Sequence, residues 1–409
     1  MSAVTEAELL ENARYQAEHL LPYGWEYVTC DIQWYEPAAG TRPGCEYIPF
    51  AKLCMDEYGR LIPAENRFPS SAGGRGFGPI AEELHRLGLK FGIHIMRGVP
   101  KQAVFARTPV LNGNCTADEI ADPNAICLWN SDMFGTRKDC AGAQAYYDSL
   151  FELYASWGVD FVKVDDIAHT GVAESGGYAA AHDIEMIRRA IDRCGRPIVL
   201  SLSPGPAPVE KAWHLRQNAN MWRITNDFWD DWALLKNMFT RCEIWQSHVG
   251  PGCWPDCDML PLGRIGVKFG QPRQTRFTPA EQKTMLTLWS VFRSPLILGA
   301  ELPSLDEATL RLLTNRDVLR LNRHSFGARQ IARDDAQAVW VSQDEDGSHY
   351  AALFNLSEET REVSLDLREL EGEAFDCREL WTGETLAARQ TLSCIIEPHG
   401  AKLFRCRTR

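Results

Sequence analysis

A chain of 409 residues with 45% hydrophobic, 24% charged and 10% aromatic residues has the composition of a folded globular protein, which excludes a disordered or fibrous chain. The formal charge of -12 and the lack of any Lys/Arg block exclude nucleic acid as a partner, because phosphate would be repelled. No stretch approaches the ~20 apolar residues of a membrane-spanning helix, so no membrane partner is expected. The acidic, polar opening MSAVTEAELLENARYQ lacks the pattern of a secretory signal, so a cytoplasmic location is expected.

In chain order, short strand-like runs alternate with amphipathic segments through the first three quarters of the sequence. WEYVTCDIQW (25–34), GPIAEELHRLG, LKFGIHI (89–95), AGAQAYYDSLFELYASWG, VDFVKVD (159–165), AHDIEMIRRAIDRCG, PIVLSLS (197–203) and MWRIT (221–225) follow one another. A further strand near Ile244, the helical TPAEQKTMLTLWSVF and the strand PLILG (295–299) complete the series. Strand, helix, strand in this rhythm predicts parallel pairing. RLG, SWG and RCG each end a helix on the glycine that C-capping favours. Seven strands are one short of a closed (β/α)8 TIM barrel; an open doubly wound sheet fits the same pattern.

After Ser325 the texture changes. AVWVSQ, YAALFNL, REVSLDL, FDCREL, TLSCIIEP and KLFRCR are short alternating strands separated by polar turns, the signature of a small antiparallel β domain. The predicted division is 1–318 for a catalytic barrel and 325–409 for a β-sandwich.

Thirteen cysteines, an odd number without a repeating pair motif, are expected as free thiols. Cys253 and Cys257 form a C-x3-C pair, but no second pair or histidine cluster completes a zinc site, so no metal is expected.

In a barrel the working groups gather at the C-terminal ends of the strands. Those ends carry Asp31, His94 with Arg97, Lys163 with Asp165, Ser201 with Ser203, and Arg223 with Asp227. Side-chain alternation in VKVDDI puts Lys163 and Asp165 on one face. Asp166 falls just beyond the strand, as a support for the loop. Two carboxylates on different strands suit a retaining glycosidase, in which one attacks the anomeric carbon and the other transfers protons. Asp165 and Asp227 are the candidates, with Lys163 or Arg223 close enough to keep a nucleophilic carboxylate ionised. Thirteen tryptophans, among them Trp34, Trp222, Trp229 and Trp254 beside these ends, suit a pocket that packs sugar faces against indole rings. One alternative is an α/β enzyme using Asp165 and Asp166 as metal ligands; another is a non-catalytic sugar-binding protein.

These residues resemble glycoside hydrolase family 27, the retaining α-galactosidases and α-N-acetylgalactosaminidases, over nearly the whole chain. The similar pieces run in order: YGWEYVTCDIQW, LHRLGLKFGIH, WGVDFVKVDD, GRPIVLSLS, MWRITNDFWDDW, GPGCWPDCDML, FRSPLILGAEL and NRDVLRLN, then LWTGE and PHGAKLFR of a closing β-sandwich. The resemblance implies hydrolysis of a terminal α-D-galactose-type residue, with a carbohydrate as partner, no cofactor, and scope for a homo-oligomer. It makes Asp165 the nucleophile and Asp227 the general acid/base. Asp31, Lys163 and Arg223 become sugar-binding groups, with Asp256 and Asp258 as further pocket residues; His94 and Trp34 are pocket candidates by position, and GIHIMRGVP places His94 and Arg97 where the family more often shows other groups. Ile32 stands where family galactosidases usually carry a second aspartate, which resembles the β-L-arabinopyranosidase members. Ser203 stands where galactosidases often carry a glutamate, a small residue as in the α-N-acetylgalactosaminidases. The family's opening strand has no counterpart, so the expected barrel lacks its first stave.

Overall fold

The computed structural model describes residues 3–169, 177–203 and 205–409. The chain forms two compact units. One comprises Met1–Arg223, Gly266–Arg273 and Glu301–Pro303; the other comprises Ile224–Ile265, Gln274–Ala300 and Ser304–Arg409.

The first unit opens on the helix Glu6–His19, started by a capping box in which Thr5 and Glu8 satisfy each other's backbone N–H. Its sheet holds five parallel strands: β1 (Tyr27–Cys30), β2 (Lys90–Met96), β3 (Phe161–Asp165), β4 (Val199–Ser203) and β5 (Met221–Arg223). They pair in chain order, as βαβ crossovers dictate. The amphipathic segments become the helices Gly78–Arg86, Ala141–Ser156 and Ala181–Arg193, as expected. Gly88, Gly158 and Gly195 behind them all take positive φ, the left-handed step that ends a helix. Between β2 and the helix Ala141–Ser156, the segments Val99–Pro100, Ala121–Ile126 and Met133–Thr136 form a small antiparallel sheet.

Two expected strands are corrected in the second unit. Ile244 lies in the helix Trp232–Trp245 with 50% of its surface exposed. The strand in this part of the chain is the three-residue β6 (Trp254–Asp256), to whose Asp256 C=O the Ile224 N–H donates at 3.0 Å. PLILG reduces to one parallel bridge between Leu260 and Leu298. Short apolar runs do not separate strand from helix by periodicity, and a strand of three residues containing proline leaves almost no pattern.

The antiparallel sheet comprises β7 (Ser325–Arg333), β8 (Gln337–Asp344), β9 (His349–Asn355), β10 (Arg361–Asp366), β11 (Ala374–Glu379), β12 (Thr385–Arg389), β13 (Thr391–Ile396) and β14 (Ala401–Thr408). Their order is β7-β8-β9-β14-β11-β12-β13-β10. Val363, Leu365, Phe375 and Cys377 fill the inner face, alternating with exposed residues in the period-2 pattern of a half-buried strand. β8 and β9 are buried on both faces because helices cover the outside. The Phe239 ring on the helix Trp232–Trp245 meets Phe354 edge-on at 4.9 Å, and Phe292 on the helix Pro279–Phe292 meets Trp340 at 6.2 Å. Phe354→Ala is expected to cost about 3–5 kcal/mol, through lost burial and the cavity it leaves; urea denaturation followed by circular dichroism measures it.

None of the thirteen cysteines is joined in a disulfide, and Cys257 lies 3.6 Å from Cys242 Sγ to Sγ.

Candidate active site

Along β3, Val162 and Val164 are fully buried, whereas Lys163 and Asp165 are half-buried and face the open side. Strand register then sets their neighbours. Lys163 lies opposite His94 of β2 and Ser201 of β4, while Asp165 lies opposite Met96 and Ser203. Arg223 at the end of β5 is buried and donates from Nη1 to Ser203 Oγ at 3.3 Å. Asp31, just past β1, places Oδ1 4.0 Å from Lys163 Nζ. The first unit therefore gathers Asp31, His94, Lys163, Asp165, Ser203 and Arg223 at the same strand ends.

Each Asp165 oxygen has a partner. Oδ1 accepts the Asp166 N–H at 2.7 Å, and Oδ2 lies 3.2 Å from His94 Nε2. Burial alone would push the Asp165 carboxyl up, but His94, the Lys163 charge and the Asp166 N–H outweigh it and hold the carboxyl below its ordinary value. Asp31 is likewise held low: burial opposes ionisation, and the charges of Lys163 and His94 overcome it. Asp166 behaves oppositely. Burial pushes it up to about 6, with the Asp165 charge adding to the rise and Arg97 opposing it. The two adjacent aspartates are thus chemically distinct, one held below and the other raised above the ordinary aspartate value. Asp166 faces Arg97, with Oδ2 3.1 Å from Nη2, rather than sharing a ligand set with Asp165. Among the described residues, no group of three or more His, Cys, Asp or Glu is placed to hold a metal ion.

Trp34 is a correction. Expected to present a ring to sugar, it is wholly buried, edge-on to Phe77 and Trp157, and its Nε1 donates to the His94 C=O at 2.7 Å. Its bulk braces β2 beneath His94. Ile32, 4% exposed, packs into the interior directly after Asp31. Trp222 is also fully buried, and Trp254 lies under the Arg293 guanidinium at 4.8 Å.

In the second unit, Asp227 is exposed. The segment carrying it is braced from the predicted D-x-D element: Asp258 Oδ2 accepts the Phe228 N–H at 2.7 Å, and Asp256 Oδ1 accepts the Asp258 N–H at 2.8 Å. Asp256 and Asp258 are both buried, and these oxygens orient backbone. Sequence reasoning missed Asp183, Tyr147 and Gly135, which surround Arg97. Asp183 reads as an ordinary acid in the first turn of an amphipathic helix, and nothing in its neighbours marks it as fully buried.

Residues 125–324 match the alpha galactosidase A family and residues 334–406 match the alpha galactosidase C-terminal beta sandwich domain. An alpha-galactosidase from Cyamopsis tetragonoloba is 24% identical, over 98% of this chain and 90% of its own. Among solved structures, a GH27 β-L-arabinopyranosidase from Geobacillus stearothermophilus is 54% identical, covers 99% of this chain and 93% of its own, and superposes with a TM-score of 0.96. A variant of that enzyme in complex with arabinose is 53% identical over 100% of this chain and 94% of its own, also with a TM-score of 0.96. With relatedness at this level along almost the entire sequence, the chain belongs to glycoside hydrolase family 27, has the TIM barrel and C-terminal β-sandwich of that family, and is a glycoside hydrolase.

Proposed function

We propose that this glycosidase is exo-acting and retaining, and that it releases terminal β-L-arabinopyranose. Asp165 is the nucleophile, forming a glycosyl ester, and Asp227 is the acid that protonates the leaving oxygen and then the base that activates water. An ionised carboxylate fixed at both oxygens supports the first role. The carboxylate pair supplies nucleophile and proton transfer, so the reaction needs no cofactor.

The observation that carries the sugar assignment is Ile32. β-L-Arabinopyranose shares the ring configuration of α-D-galactopyranose but lacks the hydroxymethyl group on C5. An aspartate beside Asp31 offers that hydroxyl a hydrogen-bond acceptor, whereas the buried Ile32 offers none. Enclosing an unpaired hydroxyl costs about 1–3 kcal/mol, on the order of 10- to 100-fold in binding. The 54% identity to a β-L-arabinopyranosidase supports the same reading. Ser203 favours a second one, α-N-acetylgalactosaminidase activity, through the small side chain at that strand end.

The experiment is kcat/KM for p-nitrophenyl β-L-arabinopyranoside, α-D-galactopyranoside and α-N-acetylgalactosaminide. The first is expected to lead, and Ile32→Asp is expected to move the galactoside-to-arabinopyranoside ratio upward by at least ~10-fold. A wild type that prefers the acetamido substrate would reject Ile32 as the determinant in favour of Ser203.

A further inference from the structure

Immediately behind the nucleophile lies a buried cation that the reaction does not consume. Arg97 is 5% exposed, a rare state for an arginine without dedicated partners. Its contacts converge on two consecutive residues. The Arg97 N–H donates to the Asp165 C=O at 3.2 Å, its Nε donates to the Asp166 C=O, and its Nη2 lies 3.1 Å from Asp166 Oδ2. Its Nη1 points toward Asp183 Oδ2 at 3.9 Å. Asp183 is fully buried and accepts from Thr136 Oγ1 at 2.6 Å and Tyr147 OH at 2.7 Å, while Tyr147 OH takes the Gly98 N–H at 2.8 Å. The fold makes room for this guanidinium: a Cβ at Gly135 would collide with Arg97 Nη1.

What the cation holds is a left-handed turn. Asp166 has φ of 54°, a left-handed conformation uncommon outside glycine, although aspartate tolerates it better than most residues. That turn aims the Asp166 N–H at Asp165 Oδ1, 2.7 Å away. Asp183 opens the helix Ala181–Arg193, and the chain between it and Asp166 is closed by paired backbone bonds joining Ala168 and Ala179, at 3.0 and 3.1 Å. Arg97 therefore hydrogen-bonds the chain where it leaves β3 and places its charge beside the first turn of the next helix.

We propose that Arg97 is a positioning residue for the nucleophile, holding the Asp165–Asp166 turn so that the Asp166 N–H orients the Asp165 carboxylate for attack. This rests on Asp165 being the nucleophile. Only the planar fork of arginine reaches a carbonyl and a carboxylate together; a lysine ammonium at this place keeps the charge and loses the two-point grip.

The test is covalent labelling with 2-deoxy-2-fluoro-β-L-arabinopyranosyl fluoride, followed by mass spectrometry. Wild type, Arg97→Lys and Gly135→Ala are compared, the last displacing the guanidinium without removing a charge. Expected are a label on Asp165 in all three proteins and an inactivation rate constant about 10- to 100-fold lower in both variants. The inactivator's binding constant should stay within about threefold of wild type, because misaim affects the bond-forming step and not sugar capture. Equal rate constants, or a loss confined to the binding constant or tracking a lowered Tm in both variants, would overturn the positioning role. A wild-type label on another carboxylate would overturn the nucleophile reading itself, and the proposal with it.

Discussion

Replacing Asp165 with Asn should reduce turnover by ~10⁴-fold or more, the scale seen when a covalent nucleophile is removed while binding groups remain. The amide is nearly isosteric and keeps hydrogen-bonding contact with the Asp166 N–H and His94, so the fold should survive, with Tm falling only by the loss of the carboxylate's favourable charge interactions with His94 and Lys163. The decisive measurement is Asp165→Ala with azide. The small anion fills the vacated space and attacks the anomeric carbon from the nucleophile's side, giving a glycosyl azide of inverted configuration. If Asp165 were only a sugar ligand, azide would restore nothing. The pH behaviour has a definite sign. Asp165 has a depressed folded-state value, so its ionised form adds stability above the ordinary aspartate range near ~3.9, and that contribution is lost as pH falls through the lower folded value. At neutral pH the carboxylate is fully charged and ready to attack.

Asp227→Ala should behave differently according to the leaving group. A substrate with a poor leaving group, such as an alkyl or sugar glycoside, is expected to lose ~10²- to 10⁴-fold in kcat/KM, the usual worth of general acid catalysis. A 2,4-dinitrophenyl glycoside needs no proton on departure and should still form the glycosyl ester rapidly, then accumulate it because no base activates water. Burst kinetics with that substrate measure both steps. Azide here should yield a product of retained configuration, since it intercepts the ester made by an intact Asp165. Equal losses on both substrates, with no burst, would remove Asp227 from the proton-transfer role.

Much of the nucleophile's setting is legible in VKVDDI, because strand parity is a two-state property: once Val162 and Val164 are buried, Lys163 and Asp165 share the other face. The helices and their terminal glycines are equally legible, since helical periodicity and C-cap chemistry are local. Ile244 was not, because a single apolar residue on a helix's solvent face looks like the middle of a strand. Trp34 shows a second limit. Residue type says that an indole can meet a sugar, but only tertiary packing decides that its ring is enclosed and its N–H is spent on the His94 carbonyl. The Arg97 cluster shows a third, since Asp166, Asp183, Tyr147 and Gly135 come together only through the crossovers that bring β2, β3 and the following helix side by side.

The helix Pro279–Phe292 is buried at every residue from Thr284 to Phe292. Within its own unit it is pinned to the C-terminal strands: Thr284 Oγ1 donates to the His399 C=O at 2.6 Å, Trp381 Nε1 donates to Thr287 Oγ1 at 3.0 Å, and Phe292 meets the Trp340 ring. For anyone building hybrids between family members, this sets where the chain tolerates a crossover. A junction at 318–325, inside the helix Arg316–His324 and its step into β7, follows the visible change in sequence texture, yet it pairs one parent's helix with another parent's sheet and mismatches a shared core. The exchangeable module begins earlier and carries its helix with it.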